Sequence, residues 1–285
     1  MALERLAKLS ILLSKDRKPQ TLCTADSIGC VESTHLRRLG LVSRVPDGLS
    51  PSKLPISLYN LLCRKPLPSS SCRAPLPTLP QRFQLAATLA SSLYTFMLAR
   101  WHHKMFNSLN IAFMFPSHPD GTGGPLPELE RPLVFGYSVC RPSAPEELSI
   151  NESESSLSEF YLHPRLRVPP PGRPRYELKY EIYAFGLLLA EIGFWQPISR
   201  IGAASSPRQG GVSAEGFKAE VTRKCESDLG CWMGEQYRDV TVRCLRAAEA
   251  AVGSNGSRSV EELTGFYWDV VWELVRCAER VKVLG

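Results

Sequence analysis

The chain has 285 residues, 44% of them hydrophobic and 22% charged, which is enough apolar material for one large core or two small ones and excludes a disordered or fibrous chain. Its formal charge of +6 comes from scattered Lys and Arg with no long basic run interleaved with aromatics, so nucleic acid is not the expected partner. Nine cysteines, with no Cys-x-x-Cys pair and no zinc-like His spacing, read as reduced thiols. The first residues mix acid and base before any apolar run, unlike a secretory leader. The most apolar run, 182–195, contains Glu191 and is too short for a bilayer span. A cytoplasmic protein that does not enter a membrane is expected.

Residues 2–14 place Leu6, Leu9 and Leu13 on one side of an amphipathic helix, with Leu3 nearby. Residues 21–31 and 36–45 are β-compatible and can pair as antiparallel strands. "PDGLSPSKLP" breaks regular structure, and 64–80, with its prolines and Ser-Ser-Ser run, reads as a loop. From 81, Phe83, Ala86, Ala90, Leu93 and Met97 keep helical spacing, predicting a long core-facing helix. "PLVFGYSV" suits a short strand, and the acidic, serine-rich 143–159 is too polar to pack. Helices are predicted at 182–195, near 234–251 and over 259–280. Ser259 and Glu262 have capping-box spacing, and Val260, Leu263, Tyr267, Val270, Val271 and Leu274 form one stripe. The fold class is α+β, with a small part over 1–63, a Pro/Ser-rich loop over 64–80 and a helical part over 81–285.

The stretch "RWHHKMFNSLNIAFMF" follows the long helix and runs from two histidines to Asn110 and then into apolar residues. "VFG" at Val134, Phe135 and Gly136 comes next, then "YLHPRL" with Pro164, then "EIYAFGLLLAEIG" with Glu181 and Gly186. This order resembles the C-lobe of a eukaryotic protein kinase, whose catalytic loop reads His-Arg-Asp with an Asn five residues after the Asp. Counting back from Asn110 sets His103 at the His position, Lys104 at the Arg position and Met105 at the position of the catalytic Asp. Val134 stands where Asp-Phe-Gly supplies a magnesium ligand, and an aliphatic side chain cannot bind Mg²⁺. Arg165 stands at the Glu position of Ala-Pro-Glu. No Gly-x-Gly-x-x-Gly loop and no Val-Ala-x-Lys strand precede residues 2–14, which look like the family's C helix with Glu4 at its ion-pairing position. The resemblance therefore implies a kinase-like fold with a truncated small N-lobe of one helix and a few antiparallel strands, and a mainly helical C-lobe.

"WHHKMFNSLN", "GYSVCRP" and "EIGFWQPI" look closer still to the kinase-like domains of filamentous fungi found behind prion-inhibition and propagation (HeLo-type) modules. What this likeness implies is a regulatory or signalling module, often tied to self/non-self recognition, that acts on protein partners. The expectation is a pseudokinase with no catalytic residue, no metal and no cofactor beyond weak ATP binding, for which Asn110 is the residual contact. The alternative is a divergent protein kinase using displaced groups such as Asp120 or Glu181.

His102 and His103 read as structural histidines bonded to backbone, because no Cys or Asp nearby completes a nucleophile or metal set. Asn110 is expected to fix its loop by side-chain to backbone bonds, and Glu181 to accept N–H bonds from that loop. Trp101, Trp195, Trp268 and Trp272 read as core or groove fillers. Residues 143–164 hold six serines among five glutamates. They are expected to be disordered and, if phosphorylated, to dock on Arg165, Arg167, Arg173 and Arg175.

Overall fold

The computed structural model describes residues 2–16, 18–33, 35, 38–63, 76–118, 124, 126–138, 140–142, 157–169, 171–202, 213–249 and 258–283. The chain is α+β and mostly helical, with small sheets that are all antiparallel. It begins with helix α1 (Ala2–Leu12), which buries Leu9 and has Leu13 just beyond its end. Strands β1 (Ser27–Ser33) and β2 (Arg38–Ser43) then form a ribbon packed on α1, in register Cys30 to Leu41. The first strand starts later than the expected residue 21, because Gln20–Leu22 close a 3₁₀ turn and Cys23 is left-handed with φ 53°.

Strand β3 (Ile56–Ser57) leads into helix α2 (Leu58–Cys63). Helix α3 (Leu79–Leu98) starts slightly before the predicted residue 81 because Thr78 and Gln81 form a reciprocal capping box with Pro80 in the first turn. It buries the predicted stripe of Phe83, Ala86, Ala90, Leu93 and Met97. The chain then makes β4 (Trp101–His102), β5 (Ile111–Phe113), β6 (Leu133–Val134) and β7 (Arg141–Pro142). The strand order β3-β5-β6 and the pair β4-β7 return 133–142 onto the strands that flank residues 103–110.

Helix α4 (Leu178–Phe194) is the axis of the helical part and is buried nearly all round, as its continuous apolar sequence requires. It packs on α3 and on α7 (Gly230–Arg246). Gly186 permits the second contact, since a Cβ there would lie 2.9 Å from both Cys244 Cβ and the Leu245 nitrogen. Short α5 (Ile198–Ile201) follows, and α6 (Ala214–Lys224) joins α7 through a π-helical segment, Cys225–Leu229. The helix predicted near 234–251 thus begins earlier, at Gly230, and carries a kink at Gly234 (φ 79°).

The last predicted helix is split into α8 (Arg258–Phe266) and α9 (Glu273–Val283) by a π-helical stretch, Tyr267–Trp272. Ser259 lies inside α8 and not at its cap, and Val260 leaves the predicted stripe to be 68% exposed. Each π turn takes one residue more than an α turn, so the face upstream of it rotates away from the face downstream. Trp268 and Trp272 lie off the predicted stripe and are exposed, contrary to their reading as core or groove fillers, whereas Trp101 is buried. No helix among the described residues is long and apolar enough to cross a membrane.

Candidate functional site

Residues 103–110 form a loop between β4 and β5 whose shape is set from beneath by one buried carboxylate. Glu181, in the first turn of α4, accepts the Lys104 backbone N–H at 2.7 Å through Oε1. Its Oε2 lies 3.1 Å from His102 Nδ1. Lys104 itself is left-handed (φ 64°), so the acceptor holds a backbone conformation that a lysine does not choose unaided. Glu181 is wholly committed to this structural task.

His103 points into the core, between the rings of Phe96, Phe106 and Tyr137 at 5.4–5.5 Å. Complete burial pulls its imidazole down to about 4, opposed only in part by Glu181 and the Phe135 backbone. It is therefore neutral at pH 7, and its Nδ1 accepts the Met105 N–H at 3.3 Å.

Asn110 closes the loop: its Nδ2 donates to the Met105 carbonyl at 3.0 Å, and its own carbonyl accepts the Phe135 N–H at 2.8 Å. Gly136 has φ +81°, and a Cβ there would stand 2.3 Å from the Asn110 side chain. So His103, Asn110 and Gly136 converge, joined by β5 pairing Ile111 with Val134. Met105 is half-buried beside Asn110, and Val134 is fully buried with its N–H on the Cys23 carbonyl at 2.7 Å. Phe135 packs on a satellite cluster of Leu49, Met114 and Leu133.

The residues at this convergence do not fit a magnesium ion. The Val134 side chain offers no oxygen and its carbonyl accepts the Tyr137 hydroxyl, while the Asn110 Nδ2 is turned back onto its own loop. Among the described residues no group of three His, Cys, Asp or Glu is arranged to hold a metal. Of the displaced groups, Glu181 is taken and Asp120 lies outside the described residues.

Pro164 opens a 3₁₀ turn, Pro164–Arg167, in which His163 Nδ1 accepts the Arg165 N–H at 3.2 Å. Residues 143–156 of the serine-rich stretch lie outside the described residues. The remainder corrects the expectation of disorder: Ser158–Tyr161 form a 3₁₀ turn with Ser158, Phe160 and Tyr161 buried. Of the basic set, Arg165 is exposed, whereas Arg167 and Arg173 donate to backbone carbonyls of Leu162 and Val168.

Two features were not anticipated. Tyr161 donates to Glu191 Oε1 at 2.7 Å, which requires the Ser108 hydroxyl, 2.7 Å from the Tyr161 oxygen, to donate in turn. The Ile198 N–H also reaches Oε1 at 2.8 Å, while Oε2 is buried without a partner, and burial lifts this carboxyl to about 7. A lone Glu in the apolar run 182–195 was the available sequence signal. The second feature is a buried basic group: Lys104 Nζ lies 5.3 Å from the centre of the Tyr176 ring with no hydrogen-bond partner. Burial first, then Arg141, lowers its ammonium to about 8.

A groove of about 610 Å³ lies elsewhere, between α2, the start of α3, residues 126–131 and Trp195. None of the convergent loop residues lines it.

These elements define a mixed domain in which a small antiparallel part sits over a helical body. Residues 31–275 match the model of a family described as a domain of unknown function (DUF7580), and the chain belongs to that family. A search of curated proteins finds no match.

Proposed function

We propose that the chain is a catalytically inactive kinase-like module that serves as a regulatory or signalling interaction domain for protein partners in the cytoplasm. The reading draws on the fungal resemblance of its motifs and, above all, on one observation. Met105 and Val134 lie beside the Asn110–Gly136 contact, and the resemblance to a kinase assigns to them the two positions where phosphoryl transfer would call for carboxylates. The nearby carboxylate, Glu181, is spent on the Lys104 N–H and His102. Because phosphoryl transfer rests on positioning and charge stabilisation, losing the base and the metal ligand together removes the chemistry while leaving the scaffold.

The test is Mg-dependent ATP turnover and autophosphorylation by the purified chain, with thermal-shift titration by ATP with and without Mg²⁺. No turnover is expected, and any ATP-induced rise in stability should be independent of Mg²⁺. Turnover that survives purification and disappears in Asn110→Ala overturns the proposal.

A further inference from the structure

The groove of about 610 Å³ beside α2 has the volume of a ligand site, and its described lining holds no Cys, His or Lys, so the property it offers is binding. Its apolar lining comes from four segments: Leu61 of α2, Leu76 and Pro77 ahead of α3, Leu126 and Leu129 between β5 and β6, and Trp195 at the end of α4. Leu76 and Leu126 are exposed, at 65% and 50%. Trp195 closes α4 with a left-handed backbone, φ 51°, a place usually given to glycine, and its half-buried ring also packs on the core.

The polar groups around the groove are mostly paired with one another. Thr78 and Gln81 satisfy each other's N–H in the capping box. Arg131 meets Glu128 at 3.4 Å and donates to the Asp47 carbonyl at 3.1 Å. Arg82 donates to the Gly193 carbonyl at 2.8 Å, tying α3 to the end of α4, so the walls are already assembled. Glu130 is the exception: it is exposed and makes no ion pair among the described residues.

We propose that this groove docks an extended segment of a partner protein, one that carries two apolar side chains of leucine or proline size and, beside them, a lysine or arginine that pairs with Glu130. Grooves lined by aliphatic, proline and aromatic side chains take extended peptides through alternate apolar anchors. Charge decides the sign of the partner. Glu130 lacks a countercharge although the chain as a whole carries +6, so a basic segment completes the rim and an acidic one meets a like charge. The start of α3 has little to offer an anion, because the capping box takes the Gln81 N–H and Pro80 has none. The inference names a partner class for the interaction domain proposed above and rests on that reading only for the binding of proteins. Its test reads peptide binding, whereas that reading falls on ATP turnover, so either can fail alone.

The probe is a phage-displayed library of random dodecapeptides selected on the purified chain, with enriched sequences resynthesised and measured by fluorescence polarisation. The expected sequences hold Lys or Arg within a few residues of two Leu, Ile, Met or Pro. Leu126→Asp sets a charge where an apolar side chain docks and should weaken them at least about tenfold. Leu76→Asp repeats that test at a second exposed position. Glu130→Arg should weaken them about fivefold, the scale of an exposed ion pair, and should bind better those peptides whose basic residue is changed to Glu. Trp268→Ser should bind as wild type, because its neighbour Tyr267 meets Tyr94 at the other end of α3. All the altered groove residues are exposed, and circular dichroism checks that each variant folds. A selection that enriches nothing, enriched peptides that lack a basic residue, or affinities unchanged in the folded Leu126→Asp or Glu130→Arg protein overturn the proposal.

Discussion

Replacing Glu181 by alanine tests whether the loop at 103–110 is held from below. The wild-type carboxylate is 1% exposed and receives the Lys104 N–H at 2.7 Å, with His102 on its other oxygen. Alanine strands a buried N–H in a left-handed residue, and it takes from the buried Lys104 ammonium the Glu181 charge that favours it. Removing one member of such a buried charged set costs about 3–5 kcal/mol. Glutamine removes the same charge but keeps an oxygen for the Lys104 N–H, so it should be less destabilising than alanine by about 1–2 kcal/mol. For a domain of this size the midpoint should fall by roughly 2–4 °C per kcal/mol, which separates the two variants clearly. Urea and thermal unfolding followed by circular dichroism supply both numbers. A Glu181→Ala protein within about 0.5 kcal/mol of wild type, the range of an ordinary surface change, would refute the argument that Glu181 shapes the loop.

Two further substitutions probe neighbouring contacts. Gly136→Ala combines a left-handed backbone with a Cβ 2.3 Å from Asn110, so it should destabilise by at least about 2 kcal/mol and release the Asn110 amide from Met105; unfolding unchanged by the methyl would show that the turn can move aside. Lys104→Met removes a buried ammonium that has no hydrogen-bond partner while keeping its stem on Tyr176, so stability should hold or rise by up to about 1 kcal/mol at pH 7, and a fall of more than about 2 kcal/mol would mean that the charge is needed where it is.

How much of this was legible in the sequence follows from how far each signal reaches. The stripe on α3 and the continuous apolar run of α4 are long and periodic, and their elements appear within a few residues of expectation. Asn110 was readable from within its own loop, whereas Glu181, 77 positions from Lys104, was readable only through the resemblance in motif order. Strands β3 to β7 were mostly missed, since two or three residues carry no period and their pairing depends on partners across the fold. Helix α6 had a signal that went unused, Phe217, Val221 and Cys225 at i, i+4 and i+8, all buried. The π turns defeated the C-terminal pattern, because a stripe drawn at 3.6 residues per turn cannot anticipate an inserted residue. The Glu191 network was invisible for a different reason: Tyr161 and Ser108 lie 30 and 83 positions away from it in sequence (191 − 161 and 191 − 108).

That network makes a pH-dependent prediction whose sign can be worked out. Glu191 titrates near 4.5 in an unfolded chain and is raised to about 7 in the fold, chiefly by burial. Between these values the native state holds a proton that the unfolded state has released, so its contribution favours folding below pH 4.5 and is lost as pH rises through 7. The difference of roughly 2.5 pH units corresponds to on the order of 3 kcal/mol across that window. His103 and His163, both drawn down to about 4 chiefly by burial, contribute in the opposite sense, adding stability as pH rises from about 4 to 6.5. The wild-type profile alone therefore mixes the three groups. Glu191→Gln isolates the carboxyl: it keeps an acceptor for Tyr161 and the Ile198 N–H, and it does not titrate. Its amide will lack a partner where Oε2 has none, a constant cost of about 1–3 kcal/mol at every pH. Stability of wild type minus that of Glu191→Gln, measured by urea unfolding from pH 4 to 9, should fall steadily from 4.5 to 7 and be level above. A difference that is flat across the window would show that Glu191 is ionised in the fold with an ordinary affinity for its proton, and that water or a shift of Ser108 and Tyr161 solvates the oxygen left here without a partner.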